Sequence, residues 1–219
     1  MQVNVFFNYY VPPDETRVHQ IGYCFQQLCE DVYIDNVFVC VSKDDLEALN
    51  AIVKDEFIHK VNVVVYDDRP TFHYSVYRVL GENSGPDDIN ILLNSDCFLG
   101  FNTDWDYIHD MDEDTAFALS RYDLLSVRPN VVDVGSGFPR VDSQDCWIFK
   151  GKPKEGMNLE FYFGKPGCDN RMAYEMNQVY GVRGDVSKIQ VLHYHRPDEY
   201  RCYNDSERLD GPYCLVALS

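Results

Sequence analysis

Four short apolar runs alternate with helix-like segments through the first hundred residues, and this alternation limits the chain to one class of fold. Apolar runs of this length, bounded by polar turns, are typical of buried strands, and a helix between two strands is typical of a parallel β-α-β unit. Each crossover is expected to be right-handed. The sequence therefore predicts an α/β domain with a mostly parallel central sheet, whose first strands are residues 3–7, 37–41, 61–66 and 89–93.

The segments between these strands carry apolar residues at helical spacing. Val18, Ile21, Phe25 and Leu28 recur every three or four residues and predict an amphipathic helix that packs on the sheet. After residue 96 the pattern is less regular, and residues 213–218 are expected to form an edge strand or to begin a segment that is removed. Further helices are predicted at 44–53, 72–80 and 171–178, and further strands at 116–120, 146–149 and 189–195.

Charge and cysteine content exclude several function classes. The 219 residues carry 36 acidic and 19 basic side chains, and the resulting formal charge of −17 repels nucleic acid and anionic lipid. The eight cysteines form no CxxC pair and no cluster with histidine, so neither a zinc site nor a disulfide framework is predicted. Because the sequence lacks a signal-peptide pattern and a long apolar run, we expect a soluble, cytoplasmic protein.

A carboxamide and a carboxylate end the fourth predicted strand, in the sequence Asn94-Ser95-Asp96. Open α/β sheets bind ligands at the carboxyl ends of their strands, and side chains two residues apart on a strand share a face. Oxygen ligands of this kind suit a hard divalent cation that bridges two phosphates, which indicates a sugar-nucleotide site. The alternative is an Asx turn. Literal DxD pairs at 104–106, 110–112 and 112–114 lie in an acidic stretch typical of a solvated helix start.

Two other loops are expected at the same edge of the sheet. The loop after the first predicted strand offers an aromatic ring that could stack on a base, although plain packing is the alternative. The loop after the third offers an arginine for a diphosphate and aspartates for a base or ribose, although an ordinary capped loop is the alternative. These candidate nucleotide-sugar-binding residues are Asn8, Tyr9, Tyr10, Asp67, Asp68 and Arg69.

Residues late in the chain are candidates for metal binding and for general-base catalysis. His193 and His195 share one face of a predicted strand, and either could complete a metal shell, although a structural histidine is the alternative. Asp169 follows a glycine turn at a predicted helix start, where it could act as a base or as an N-cap, and Arg171 could contact phosphate. Asp145, just before an apolar strand, is the second candidate base.

Taken together, these residues resemble the GT-A-fold, nucleotide-sugar-dependent glycosyltransferases. The similarity is to the small chlorella-virus glycosyltransferase domain involved in capsid-glycan synthesis and to its bacterial relatives. It spans roughly positions 69 to 195, so most of the chain is covered. The similar segments are residues 69–72, 94–96, 118–123, 143–150, 167–171 and 193–195.

The resemblance implies a single GT-A, Rossmann-like domain over residues 1–219, with nucleotide-sugar binding in 1–100 and a small antiparallel part that serves the acceptor in 101–219. Such a domain could be the N-terminal part of a longer protein, and a viral member would act in the host-cell cytoplasm. In this family Mn²⁺ or Mg²⁺ binds the last aspartate of a DxD motif, here Asp96, with Asn94 in place of the first aspartate.

The implied reaction transfers a hexose or deoxyhexose from a UDP-sugar to a hydroxyl of a glycan or glycoprotein acceptor. Inverting members use an acidic residue at a helix start as the base, which corresponds to Asp169, with Asp145 as the second candidate. Single displacement with inversion is therefore expected, and retention is the alternative if no base is properly placed.

Two other functions are alternatives. A sugar-nucleotide nucleotidyltransferase needs a glycine-rich loop with Lys or Arg after the first strand to hold a triphosphate, and no such loop follows it in the sequence. A catalytically degenerate module that binds sugar nucleotides or carbohydrate is the other alternative, because Asn94 replaces an aspartate.

Overall fold

A computed structural model describes residues 1–128, 131–134, 139–194 and 205–219. The chain begins with β1 (Val3–Tyr9), α1 (Glu15–Glu30), β2 (Asn36–Val41), α2 (Leu46–Ile52), β3 (Val61–Val65), a π-helix (Tyr74–Leu80) continued by α3 (Gly81–Asn83), and β4 (Ile89–Leu93). It continues with β5 (Cys97–Leu99), α4 (Trp105–His109), β6 (Thr115–Leu119), β7 (Tyr122–Arg128), β8 (Val131–Val134), β9 (Cys146–Lys150), α5 (Cys168–Met176), β10 (Gly181–Arg183) and β11 (Val191–His193).

Seven strands form the central sheet in the order β10-β6-β9-β4-β1-β2-β3. All neighbours are parallel except β9, which runs antiparallel to β4 and β6. Cys146 starts β9 opposite Leu93 and Leu119, so the amino end of β9 lies at the carboxyl ends of β4 and β6. A smaller sheet, β5-β11-β7-β8, contains two antiparallel pairs. The predicted fold class, a mostly parallel α/β sheet with a small antiparallel part, is confirmed.

Helices cover both faces of the central sheet, which explains why its inner strands are apolar at nearly every position. On one face, Phe7 of β1 packs against Phe25 of α1. On the other face, Phe6 of β1 and Trp147 of β9 belong to a second core cluster that includes the π-helix and α5. The two clusters hold the strands from both sides and leave the carboxyl edge of the sheet open for a site.

Several predicted segments differ from the structure at their ends. The predicted helix at 72–80 is wound as a π-helix over most of its length. The predicted strand at 189–195 pairs over Val191–His193 in the smaller sheet, and His195 lies outside the described residues. Of the apolar stretch 213–218, only Leu218 forms a β-bridge, to Gly184, so a full edge strand is wrong there.

Helix α5 starts at Cys168, three positions before the predicted start at residue 171. Gly167 precedes it with a φ of 84°, a left-handed conformation that glycine adopts without a Cβ penalty. The glycine therefore directs the chain into the helix earlier than the hydrophobic spacing indicates. As a result, Asp169 lies inside the first turn of α5 and is not its N-cap residue.

Most cysteines of the described structure lie in its core. Its seven cysteines are all free, and six of them are buried. Cys202 lies outside the described residues. Within the described ranges, no helix combines the length and apolar character needed to cross a membrane.

Gly151 closes the turn after β9, and we expect its replacement by alanine to destabilise the fold. Its φ of 72° is left-handed, and a Cβ would lie 2.7 Å from the carbonyl oxygen of Pro86. Strain of this kind costs about 1–3 kcal/mol. Gly22 in α1 is the matched control, because its nearest new neighbour, Ile52 Cδ1, is 3.9 Å away and alanine there should stabilise by about 0.5–1 kcal/mol. Equal urea midpoints for the two variants would contradict this role of Gly151.

Candidate functional site

The carboxyl ends of β1 and β4 form the topological switch point of the central sheet. From β1 the chain crosses through α1 to β2 on one side, whereas β4 pairs with β1 on the other side. Open α/β sheets bind their ligands in the crevice at such a point. The hydroxyl of Ser95 donates to the backbone carbonyl of Asn8 and joins the two strand ends. Two of the predicted loops therefore meet here.

Asn94 and Asp96 do not act as a pair on one strand face, contrary to the prediction. Strand β4 ends at Leu93, and the chain turns at once, with the amide of Cys97 donating to the carbonyl of Asn94 at 2.9 Å. The turn breaks the alternation of side chains that a strand would impose. Asn94 and Asp96 consequently belong to two neighbouring polar clusters with different partners.

The first cluster surrounds Asp96. Its Oδ2 accepts a hydrogen bond from Arg17 Nη2 at 2.9 Å and lies 3.2 Å from His193 Nε2. His193 Nδ1 lies 2.8 Å from Asp123 Oδ1. Arg17 comes from the first turn of α1 and His193 from the end of β11, so two separate elements converge on one oxygen of a carboxylate that follows β4.

Burial and charge act in opposite directions on this cluster. Burial disfavours ionisation of Asp96, but His193 and Arg17 overcome it and hold the pKa of Asp96 well below its usual value. Burial likewise disfavours a charged His193, but Asp96 and Asp123 overcome it and raise the pKa of the imidazole. Without a ligand, the cluster therefore favours an ionised Asp96 beside an imidazolium.

The second cluster surrounds Asp145, which is 2% exposed. Asp145 Oδ1 accepts from Asn94 Nδ2 at 2.8 Å and from Arg121 Nη1 at 2.7 Å. Arg121 Nε also donates to Asp123 at 3.3 Å, so Arg121 connects the two clusters. Asp145 Oδ2 is buried, and no donor contacts it within the described part of the chain. Carboxylates therefore alternate with guanidinium and imidazole groups through the two clusters.

Asp169 faces the second cluster from the first turn of α5. Burial and the negative charge of Asp145 raise the pKa of Asp169 to about 6, although Arg121 partly opposes this. The neighbouring Cys168 thiol contacts Asp169 Oδ1 at 3.8 Å. A carboxyl group with a pKa near the working pH suits general-base catalysis, because it is ionised and still basic.

The two tyrosines after β1 occupy different environments. Tyr9 is 3% exposed and belongs to the core cluster on the α1 face, so its ring is not offered to a ligand. Tyr10 is 39% exposed and hydrogen-bonds through its side chain to Arg17. Tyr10 is therefore the aromatic residue of this loop that a ligand can reach.

The loop after β3 lies two strands away from β1, at the edge of the sheet. Asp67 forms an exposed ion pair with Lys43, and Asp68 is also exposed. Arg69 Nη1 donates to the carbonyl of Phe163 at 3.3 Å, in the segment that leads to α5. This loop therefore borders the crevice, whereas the residues after β1 and β4 form it.

Arg171 holds the C-terminal segment against α5. Its Nε donates to Glu175 at 2.9 Å, and its Nη1 donates to the carbonyl of Gly211 at 3.0 Å. These bonds occupy the guanidinium away from the Asp96 cluster. A contact between Arg171 and the donor phosphate stays a prediction.

Asp96 and His193 are two donors of the kind that a divalent cation binds. Nowhere in the described ranges do three or more His, Cys, Asp or Glu side chains converge on one point to hold a metal. A carboxylate oxygen and an imidazole nitrogen 3.2 Å apart nevertheless fit two positions of a coordination shell, and Asp123 would orient the ring in the way that outer-shell carboxylates do. An ion here would take its other ligands from substrate and water.

Sequence reasoning missed three residues that build this edge. Arg17 could have been found from its place in the first turn of the helix after β1, which is where a switch-point strand leads. Arg121 and Asp123 lie in a segment of the family resemblance but were assigned no role. Their partners in the two clusters are 24 to 79 residues distant in the chain, and no local pattern shows that.

Comparison with solved structures identifies the fold. The crystal structure of 4-diphosphocytidyl-2C-methyl-D-erythritol synthase from Anaerococcus prevotii matches with a TM-score of 0.50 and 10% identity, over 94% of this chain and 92% of that chain. The two chains share a fold. HddC from Yersinia pseudotuberculosis, in complex with GMP-PN, matches at a TM-score of 0.47 and 11% identity, over 88% of this chain and 93% of that one. No protein-family model and no curated protein matches the sequence.

The fold shared with the synthase extends over nearly the whole chain. Two surface hollows in the described structure lie elsewhere. One is lined by Tyr107, Asp112 and Arg183 near the start of β6, and the other by Glu160, Arg171 and Leu209 beside α5. The charged residues that could act on a ligand are concentrated at the carboxyl edge.

Proposed function

We propose that this protein is a transferase that moves a hexose or deoxyhexose from a UDP-sugar to a hydroxyl of a glycan or glycoprotein acceptor. The observation that carries the proposal is Asp169, a carboxyl group with a pKa raised to about 6 at the start of α5, beside the crevice at β1 and β4. Transfer to a hydroxyl needs a base of this strength. Its position supports this role, because the charges of Asp145 and Arg121 act on Asp169 from the second cluster at the same edge.

The donor is proposed to bind across the ends of β1 and β4. Tyr10 is the exposed aromatic ring that can stack on the base, and Asn8 and Ser95 lie beside it. Arg17 and Arg69 are the guanidinium groups on either side of this edge, and guanidinium binds phosphate through two parallel hydrogen bonds. Asp67 and Asp68, both exposed, can accept bonds from ribose or base hydrogens.

Asp96 and His193 would hold Mn²⁺ or Mg²⁺ at the diphosphate, with Asp123 fixing the imidazole tautomer. Such an ion supplies positive charge that stabilises the departing nucleoside diphosphate. Arg121 pairs with Asp145 and Asp123, which reduces the negative charge that an anionic donor meets at this edge.

Asp169 is proposed to take the proton of the acceptor hydroxyl while that oxygen bonds to the anomeric carbon of the donor. The bond between the anomeric carbon and the diphosphate oxygen breaks at the same time, which inverts the configuration and releases the nucleoside diphosphate. Asp145 is a less suitable base, because its Oδ1 already accepts two hydrogen bonds and its Oδ2 is buried.

A nucleotidyltransferase is the second candidate, and the fold shared with the diphosphocytidyl synthase favours it. The loop after β1 argues against it. Its residues Tyr10, Val11, Pro12, Pro13 and Asp14 include no glycine and no basic residue.

Thermal shift with Mn²⁺ and a panel of UDP-, GDP- and dTDP-sugars tests the proposal. We expect a UDP-sugar to raise the melting temperature by several degrees at about 100 times its Kd, since ligand binding stabilises by roughly 2.7 kcal/mol there. Release of UDP from that donor then measures turnover. Pyrophosphate release from a nucleoside triphosphate and a sugar phosphate would instead favour the second candidate. Donor binding without turnover would indicate a degenerate binding module, and no shift with any nucleotide would contradict the proposal.

A further inference from the structure

Arg17 is a buried cation at the centre of the proposed donor site. It lies in the first turn of α1, and 12% of its side chain is exposed. Nη2 donates to Asp96 Oδ2 at 2.9 Å and Nη1 to Gln20 Oε1 at 2.7 Å, and a side-chain hydrogen bond links it to Tyr10. The guanidinium is thus positioned from three directions.

Arg17 uses the same oxygen of Asp96 that His193 approaches. Both Arg17 Nη2 and His193 Nε2 lie within 3.2 Å of Asp96 Oδ2. A divalent cation between Asp96 and His193 would sit next to the guanidinium, and its double charge would be repelled by Arg17 more strongly than the single charge of an imidazolium is. Arg17 and a metal ion therefore compete for Asp96.

Once a donor is bound, its diphosphate is a better partner for the guanidinium of Arg17 than Asp96 is. A diphosphate presents several anionic oxygens, and the planar fork of arginine binds such groups through two hydrogen bonds. Gln20 is in the same helix and Tyr10 is in the preceding loop, so both can hold the guanidinium while its other edge changes partner.

We propose that Arg17 shares the neutralisation of Asp96 with His193 in the free protein and exchanges Asp96 for the donor diphosphate when a divalent cation binds between Asp96 and the neutral imidazole of His193, whose proton is released to water. This inference rests on the proposed function. It makes metal and donor binding interdependent, because each removes an obstacle to the other. A purely structural Arg17–Asp96 ion pair would instead join α1 to β4 without affecting either ligand.

The first test titrates the protein with Mn²⁺ alone and measures the remaining free ion by electron paramagnetic resonance. Arg17→Met removes the competing charge at similar side-chain length, and we expect it to bind Mn²⁺ about tenfold more tightly than the wild type. Arg78→Met is the matched control, because Arg78 forms an exposed ion pair with Glu82 far from the crevice. Unchanged Mn²⁺ affinity in Arg17→Met would overturn the inference.

The second test is calorimetric titration of UDP, GDP and dTDP at saturating Mn²⁺. The nucleotide that binds the wild type is expected to bind Arg17→Met at least about tenfold more weakly, because two charge-assisted hydrogen bonds are lost. The exchange therefore predicts that Arg17→Met raises the affinity for Mn²⁺ and lowers the affinity for the nucleotide. A structural ion pair would lower both affinities or neither, and either result would overturn the inference.

If Arg17→Met fails to fold, the same two measurements are made on Arg17→Lys. Lysine keeps the charge but lacks the planar fork, so Mn²⁺ affinity should stay within about twofold of the wild type while the nucleotide binds more weakly. Equal nucleotide affinity would then overturn the inference. Failure of the proposed function looks different, since the wild type and Arg78→Met would then also bind neither Mn²⁺ nor any of the three nucleotides.

Discussion

Asp169→Asn is expected to lower kcat about 10²- to 10⁴-fold while leaving donor affinity unchanged, since a positioned general base contributes that much to proton transfer. The amide has nearly the same shape as the carboxyl group but cannot accept a proton. UDP release in the presence of acceptor measures kcat, and calorimetry with the donor measures affinity. A variant that retains full turnover would remove Asp169 from the mechanism.

The pH dependence of the wild type gives an independent check on the same residue. The pKa of Asp169 is raised to about 6, so the base is ionised only above that value and kcat should rise with pH through about 6. The stability of the fold changes with pH in the opposite direction to kcat. The folded state retains a proton on Asp169 that the unfolded chain releases near pH 4, so this carboxyl group destabilises the fold progressively from about pH 4 to 6. Asp169→Asn should therefore gain melting temperature relative to the wild type at pH 8 and not at pH 4.

Two other carboxylates serve as controls for Asp169. Asp106→Asn makes the same chemical change on the exposed side of α4, in one of the literal DxD pairs, and should leave kcat unchanged. Asp145→Asn distinguishes the two candidate bases. If Asp145→Asn abolishes turnover with donor binding intact while Asp169→Asn does not, then Asp145 is the base.

Asp96→Ala is expected to lower the free energy of unfolding by about 3–5 kcal/mol, which is the usual cost of removing one partner from a buried ion pair. The side chains of Arg17 and His193 are 12% and 6% exposed, and they share Asp96 as counter-ion. Removing it leaves two mostly buried cations facing each other. For a chain of this length the melting temperature should fall by roughly 10 °C. Differential scanning calorimetry without metal or nucleotide measures the loss.

The loss in Asp96→Ala should depend on pH in a defined way. The depressed pKa of Asp96 stabilises the fold above the unfolded value near 4, and this contribution disappears as the pH falls through the folded value. The raised pKa of His193 stabilises the fold below its unfolded value near 6.5, and this contribution disappears as the pH rises through the folded value. The difference between wild type and variant should be widest between about pH 4 and 6.5.

Glu82→Ala is the control for Asp96→Ala, since it breaks the exposed ion pair with Arg78, and such pairs contribute about 0–1 kcal/mol. Comparable losses in both variants would show that the Asp96 cluster adds no more than surface pairing. Asp96→Ala should also lose the Mn²⁺-dependent thermal shift. A shift that persists in this variant would place the metal elsewhere.

The strand and helix pattern of the first hundred residues was predictable because it depends on local spacing. Buried strands such as 37–41 and 89–93 are apolar at nearly every position, and the helix around Ile21 repeats its apolar residues at helical spacing. The start of α5 was less predictable, because Gly167 enters the helix through a left-handed turn that leaves no hydrophobic pattern. Among the site residues, Asp96 and His193 were proposed as metal ligands from the sequence, and the fold brings them to 3.2 Å.

The sequence by itself determined an α/β fold and the strand ends at which polar residues collect, because both follow from periodicity over a few residues. Only the tertiary structure decided which of those residues meet. Asn94 and Asp96 are two residues apart in the chain, yet a turn sends them to different clusters, whereas Arg17, Asp96 and His193 converge from α1, β4 and β11. The reason is physical: ion pairs are set by distance in space, and that distance is fixed by how seven strands are ordered in one sheet.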